Sequence, residues 1–382
     1  MQFATRLVHN RGSFDPETGA SNVPVYLAST YHQDIDSPGD YDYARSGNPT
    51  RQALEEVIAE LEGGRSGFAF ASGMAAISTV LFSFSSGDHL IMSEDVYGGT
   101  FRLARQVLPR FGIETSFVDT TDIGVIERAI RPNTKAIYIE TPSNPLLKIT
   151  DLKAVNILAK RHELVTIVDN TFLTPYYQRP LELGSDVVVH SATKFLSGHS
   201  DVVAGLVVTR NEEWARKIAF LQNAVGSVLG VQDCWLVLRG LKTLKARLDL
   251  ASKNAAYVAE WLQEQPWVRH VYYPGLRSHL PAGAVLSFEV EREEQATRLL
   301  RRTKVPLIAV SLGAVESILS YPATMSHAAM SEEERKKRGI SKRLLRLSVG
   351  LEDPNDLLAD FQQAIQEEES VELPAGSSRR TG

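Results

Sequence analysis

Two segments of this chain follow an apolar run with residues able to do chemistry. Val165-Thr166-Ile167-Val168 leads into Asp169-Asn170-Thr171, and Asp186-Val187-Val188-Val189-His190 leads into Ser191-Ala192-Thr193-Lys194. Each reads as a buried strand closed by polar residues, and in an open α/β sheet ligands bind in the crevice at the carboxyl ends of the strands. Taken singly, the blander readings prevail: Asp169 as a cap for a turn or helix, Lys194 as a solvated surface lysine. Taken together, the lysine can form an imine with an aldehyde, the neighbouring hydroxyls can hold a phosphate, and a carboxylate on the adjacent strand can keep a pyridinium nitrogen protonated.

That combination is what pyridoxal phosphate (PLP) requires. A second phosphate element is Ala71-Ser72-Gly73-Met74-Ala75, between an apolar run and a helix-like run. Backbone N–H groups at a helix start, approached closely because glycine lacks a side chain, form an anion site, although an ordinary helix start looks the same. There is no G-x-G-x-x-G after a strand and no G-x-x-x-x-G-K-[ST], and His162-Glu163 lacks the second histidine of a helical zinc site. No metal site is expected. The single cysteine, Cys234, reads as a packed small hydrophobe.

The elements that must position these groups can be read more coarsely. With 382 residues the chain can hold about two or three domains at roughly 150 residues each. Helical spacing of Leu54, Val57, Ile58 and Leu61, stopped by Gly63-Gly64, predicts a first helix from Thr50. Short apolar runs follow at His89–Met92, Thr115–Val118, Ala136–Ile139, Val165–Val168, Val187–Val189 and Leu206–Thr209, separated by amphipathic stretches. This is the pattern of βαβ units around a mostly parallel, doubly covered sheet. The fold class is α/β, organised as an arm over 1–49 rich in turn formers, an α/β domain over 50–244, a smaller α+β domain over 245–367, and a solvated, disordered tail over 368–382. An extended arm cannot bury much surface on itself, so it is expected to pack on a neighbouring subunit.

Composition narrows the function classes. Lys plus Arg number 41 against 46 Asp plus Glu, a net charge of -5, so no global positive field favours nucleic acid or an anionic membrane. One cysteine rules out an intrachain disulfide, and the first residues lack the order of a signal peptide, so a cytoplasmic protein acting on a small molecule is expected.

The run Ser191-Ala192-Thr193-Lys194-Phe195-Leu196-Ser197-Gly198-His199 resembles the lysine signature of the Cys/Met-metabolism family of PLP enzymes, which comprises cystathionine γ-synthases, γ-lyases and β-lyases. Tyr43-Ala44-Arg45, Asn48-Pro49-Thr50, Ser72-Gly73-Met74, Tyr97-Gly98-Gly99-Thr100-Phe101-Arg102, Glu140-Thr141-Pro142-Ser143-Asn144-Pro145, Arg239-Gly240-Leu241-Lys242-Thr243-Leu244 and Leu345-Arg346-Leu347-Ser348-Val349-Gly350 match too. They occur in order from about residue 5 to 366.

The resemblance implies a fold-type I PLP-dependent transferase architecture, like aspartate aminotransferase, with PLP as cofactor. It implies that Lys194 carries the imine and moves the proton, and that Asp169 pairs with the pyridinium nitrogen. Gly73, Met74, Ser191 and Thr193 would hold the phosphate, helped by Tyr43 and Arg45 from a neighbouring subunit. Tyr97 would stack on the ring as a second catalytic residue, and Asn144 would contact the phenolic oxygen. Arg346 and Ser311 would bind the α-carboxylate end of an amino-acid substrate, and Arg102 its distal end. A homo-oligomer is implied, typically a tetramer.

Within the family, chemistry at the γ-carbon needs a second proton moved from Cβ, whereas β-elimination needs only the Cα proton. An acidic residue commonly precedes Ser-Leu-Gly-Gly in the γ-synthase and γ-lyase branches; here the run is Val310-Ser311-Leu312-Gly313-Ala314. With Gly230–Trp235 and Ser317–Pro322, this resembles the β-lyase branch of Gram-positive bacteria and implies cleavage of L-cystathionine to homocysteine, pyruvate and ammonia. The alternatives are a γ-synthase, γ-lyase or acylhomoserine-using relative, and a non-catalytic binding protein on the same fold. One departure is the short connection after His279, where the family carries roughly ten more residues before the strand near Val285.

Overall fold

The short β-branched runs form the centre of a seven-stranded sheet in the computed structural model, which describes residues 1–276, 282–328 and 330–366. The expected tail over 368–382 and most of the short connection after Leu276 lie outside the described residues. The strands are β1 (Ser66–Phe70), β2 (His89–Ser93), β3 (Glu114–Val118), β4 (Thr134–Glu140), β5 (Val165–Asp169), β6 (Val187–Ser191) and β7 (Gly205–Thr209). Their order is β1-β7-β6-β5-β4-β2-β3. From β3 to β6 all neighbours are parallel; β7 is antiparallel to both β6 and β1. Helices cover both faces, which is why β2 and β7 are buried along their whole length and read as continuous apolar runs.

A second, five-stranded sheet follows, made of β8 (Val268–Tyr272), β9 (Val285–Val290), β10 (Leu307–Ile308), β11 (Ile318–Ser320) and β12 (Leu344–Ser348) in the order β10-β11-β12-β9-β8. It is antiparallel apart from the β10–β11 pair. The fold is therefore α/β with a mostly parallel central sheet and a smaller α+β unit.

One detail departs from the sequence reading. The arm contains a helix, α1 (Phe3–Val8), seated by the buried Leu7, with Phe3 stacked 5.7 Å from Tyr176. A helix of 6 residues is far below the length at which a helix holds by itself, so packing makes it. Between the two sheets the last two helices of the chain are Val231–Leu241 and Leu244–Gln263. Helix α2 (Pro49–Glu62) has the expected stop: Gly63 adopts φ 71°, which favours glycine, and Asn48 caps its start by accepting from Thr50 N at 2.9 Å.

The helix Leu244–Gln263 joins the two units. Its first half packs Leu244, Leu248 and Ala251 into the core under the large sheet, and its second half packs Ala255, Val258 and Leu262 into the core of the small one. Near its start the buried Arg247 donates to Phe195 O at 2.8 Å, to Gly240 O at 2.8 Å and to Thr243 Oγ1 at 3.0 Å. Phe195 follows Lys194, so this guanidinium fixes the backbone on which the lysine stands. Arg247→Ala leaves the buried Phe195 carbonyl without its guanidinium donor, removes one of the donors on Gly240 O, and should lower stability by about 3 kcal/mol, read as a fall in the urea midpoint. A midpoint within error of wild type contradicts this role.

Candidate active site

Strand ends build the site. Glu140, Asp169 and Ser191 are the last residues of β4, β5 and β6, and Glu140 lies beside Asp169 in register. They open into a cavity of about 510 Å³ whose other wall comes from Tyr97–Arg102, Val310–Leu312, Met325–Ser326 and Arg346. Of the residues the sequence pointed to, Gly73, Met74, Tyr97, Arg102, Asn144, Asp169, Ser191, Thr193, Lys194, Ser311 and Arg346 all line this one cavity.

At one end helix α3 (Gly73–Leu81) starts against the tip of β6. Ser72 accepts from Ala75 N at 3.0 Å, while helix geometry leaves the Gly73 and Met74 N–H groups without an intrahelical acceptor. A Cβ at position 73 would lie 2.9 Å from Ser191 Cβ, so glycine is what lets the hydroxyl of Ser191 reach the helix start. Together they form a cradle for an anion. The Thr193 hydroxyl is already engaged, donating to Ala204 O at 3.2 Å and accepting from Ala204 N at 3.0 Å.

Lys194 Nζ donates to Ser311 Oγ at 2.8 Å. Burial, reinforced by the nearby Arg346 guanidinium, brings its pKa down to about 8. Ser311 holds an unusual backbone, φ 117°, a conformation that persists only where surrounding contacts fix it. Its carbonyl accepts from Arg346 Nη2 at 2.7 Å, and Gly313 N, two residues on, donates to Ser348 Oγ at 2.8 Å. Arg346 also donates to Asn144 Oδ1 at 2.8 Å and Ser320 Oγ at 3.2 Å, while its buried Nε–H has no acceptor. Arg346 lines the cavity with its charge not matched by a carboxylate hydrogen bond, so the guanidinium is a place for an anionic ligand group.

Asp169 accepts from Thr171 N at 3.0 Å, Thr171 Oγ1 at 2.6 Å and Tyr138 OH at 3.3 Å. Burial still holds its carboxyl above the usual range, against the pull of those donors. Glu140, which accepts from Tyr97 N at 2.7 Å, is pushed higher again by burial and then by the charge of Asp169. A bound cation or protonated nitrogen beside Asp169 relieves that penalty, and this fits the ring nitrogen of PLP. The anion cradle, the amine of lowered pKa and the buried carboxylate suit the phosphate, aldehyde and ring of that cofactor.

Tyr43 and Arg45 stand apart from this cavity. Tyr43 is largely exposed, and Arg45 donates to Asn223 O at 2.6 Å at the end of the helix Glu212–Val225. Glu140 and His327 belong to the site but were not singled out from sequence. His327 is fully buried, its Nε2 3.2 Å from Asn144 O and its Nδ1 2.8 Å from Ser326 Oγ. Cys234 is buried in the core, and burial pushes its thiol pKa up, as for an inert cysteine.

Comparison with known proteins agrees with this geometry. The chain is 60% identical to the cystathionine β-lyase MetC of Bacillus subtilis over 95% of its own length and 96% of that protein. It is 50% identical to a cystathionine γ-lyase of the same organism, covering 96% and 100%. Among solved structures, the cystathionine γ-lyase of Lactobacillus plantarum complexed with L-serine superposes with a TM-score of 0.93 at 48% identity, covering 95% of this chain and 98% of that one. The family model of Cys/Met metabolism PLP-dependent enzymes matches residues 4–366, and the chain belongs to that family.

Proposed function

We propose that the chain is a PLP-dependent cystathionine β-lyase, converting L-cystathionine and water to homocysteine, pyruvate and ammonia. The observation that carries this reading is the apolar Val310 in the cavity wall beside Ser311, where the γ-synthase and γ-lyase branches commonly place an acid. The 60% identity with the Bacillus subtilis β-lyase supports it. β-Elimination needs one base at Cα, and Lys194, with a pKa near 8, is suited to it. Cleavage at the γ-carbon also needs a proton moved from Cβ, and Val310 offers no group to move it. The γ-lyase reading is kept as the alternative because relatives of that name share half their sequence with this chain.

PLP, when bound, supplies the electron sink that makes the substrate Cα–H acidic. The chain's own groups do the rest. The Gly73 and Met74 N–H groups and the Ser191 hydroxyl hold the phosphate, and Asp169 holds the protonated ring nitrogen. Tyr97 covers the ring face. Asn144, whose Oδ1 is occupied by Arg346, has Nδ2 left to donate to the phenolic oxygen. The Arg346 guanidinium holds the substrate α-carboxylate, and Lys194 Nζ takes the Cα proton. Thr193 serves by fixing the Ala204 backbone beside the lysine.

Tyr43 and Arg45 are read as completing the phosphate site of a second copy. The arm that carries them leaves Ile35 97% and Leu27 75% exposed, surface that a homo-oligomer, read as a tetramer, would cover. No helix among the described residues is long and apolar enough to cross a membrane, and a cytoplasmic location is the reading offered.

Two outcomes check this assignment. L-Cystathionine incubated with holoenzyme should yield pyruvate and homocysteine; 2-oxobutyrate and cysteine as main products select the γ-lyase reading instead. In the cofactor-free protein, only the neutral Lys194 amine reacts with an amine-directed reagent. Its modification, followed by peptide mass spectrometry, should rise about tenfold from pH 6 to 7 and level off above about 8. A rate still climbing beyond pH 10 contradicts a lowered pKa.

A further inference from the structure

The β-lyase reading leaves the far half of the cavity unassigned, and this inference rests on that reading. A cystathionine-like thioether carries a second amino-acid end, an ammonium and a carboxylate, remote from the reacting carbon. Several polar groups of the lining are already committed inside the chain: Ser72 to Ala75 N, Thr171 to Asp169, Thr193 to Ala204 and Glu140 to Tyr97 N. Once the cofactor and the α-carboxylate are served, Arg102 and Ser326 are the polar side chains of the lining that remain.

The hydrogen-bond sense of Ser326 follows from its neighbour. His327 Nε2 lies 3.2 Å from Asn144 O, and a carbonyl can only accept, so Nε2 carries a hydrogen. The ring is completely buried, and burial with the guanidinium groups of Arg346, Arg338 and Arg335 lowers its pKa to about 4, so it is neutral near pH 7. A neutral ring with hydrogen on Nε2 presents a bare Nδ1. Ser326 Oγ, 2.8 Å from that nitrogen, must therefore donate to it. The hydroxyl hydrogen is used up, and the lone pairs left over can only accept.

Position is fixed as firmly as polarity. The Ser326 carbonyl presses on Gly98: a Cβ there would come within 2.1 Å of it. Gly98 and Arg102 are the two ends of one short helix, a single turn apart, so an acceptor and a guanidinium are held at a set spacing in the same wall. We propose that Ser326 is a specificity-determining residue whose hydroxyl, locked as an acceptor by His327, receives the distal ammonium of the substrate while Arg102 receives the distal carboxylate. His327 is a positioning residue in this arrangement.

The test compares L-cystathionine with S-(3-carboxypropyl)-L-cysteine, which lacks only the distal amine, by steady-state release of 2-oxoacid from holoenzyme. Ser326→Ala should raise KM for cystathionine about tenfold with little change in kcat, and leave both constants for the desamino compound within about twofold. Ser326→Thr should restore cystathionine KM, and His327→Leu should reduce the preference for cystathionine as Ser326→Ala does. Equal losses on both substrates, or no loss on cystathionine, overturn the proposal; a preserved preference in His327→Leu overturns the part assigned to His327. Product identity separates the two readings. Wild-type enzyme that makes 2-oxobutyrate refutes the β-lyase assignment; the same KM comparison with S-(2-carboxyethyl)-L-homocysteine, which lacks only the amine distal to the γ-reaction, then decides Ser326, and wild-type enzyme that releases no 2-oxoacid from cystathionine overturns both.

Discussion

The site depends on keeping one lysine amine out of water and beside a guanidinium. Lys194 Nζ meets a serine hydroxyl instead of a carboxylate, and after burial it is the like charge of Arg346 that disfavours its proton. Both facts disfavour the ammonium form, which is how a group that is ordinarily inert at neutral pH becomes a nucleophile and base. The cost falls on the protein, because a desolvated amine and a guanidinium of lowered pKa must be held together. The surrounding architecture shows how: Arg247 fixes the backbone after Lys194, and the strained Ser311 links the amine to Arg346 through its hydroxyl and its carbonyl. Lys194 comes from the large sheet and Arg346 from the small one, so the amine sits at the seam and its environment requires both units.

The opposite charge is stored deeper. Glu140 and Asp169 are register neighbours on parallel strands, buried and mutually repelling. Asp169 has three donors aimed at it and Glu140 has the Tyr97 N–H, so the two are not equivalent. The carboxylate with more donors is the one suited to remain ionised against a protonated ring nitrogen; the other anchors the segment that carries Tyr97. A buried His190–Glu62 pair, 2.6 Å apart, underlies the same strand ends, and its imidazole also favours the ionised Asp169.

Much of this was legible in the sequence for a physical reason. A strand buried on both faces reads as an unbroken apolar run, so the polar residues that end it stand out, and Asp169, Ser191 and Lys194 did. Glu140 ends such a run too, but only the β4–β5 register shows that it faces Asp169. Strand β1 was noticed only as an apolar stretch before Ala71. It lacks the branched signature because it packs on the backbone of α2: a Cβ at Gly67 would fall 2.1 Å from Glu55 O. Ser326 and His327 lie in a loop without period, and their roles emerge from one hydrogen bond between the two neighbours and one from His327 across the chain to Asn144. The helix α1 is too short to show a period at all. Tyr43 and Arg45 were marked by resemblance alone, and a single chain does not bring them to its own cavity.

The central claim is that the amine at position 194 is where the cofactor attaches. Holoenzyme reduced with borohydride and digested should yield one peptide bearing the added mass of a pyridoxyl group, with the modification on Lys194. A pyridoxyl group on any other lysine, or on none, would contradict the account.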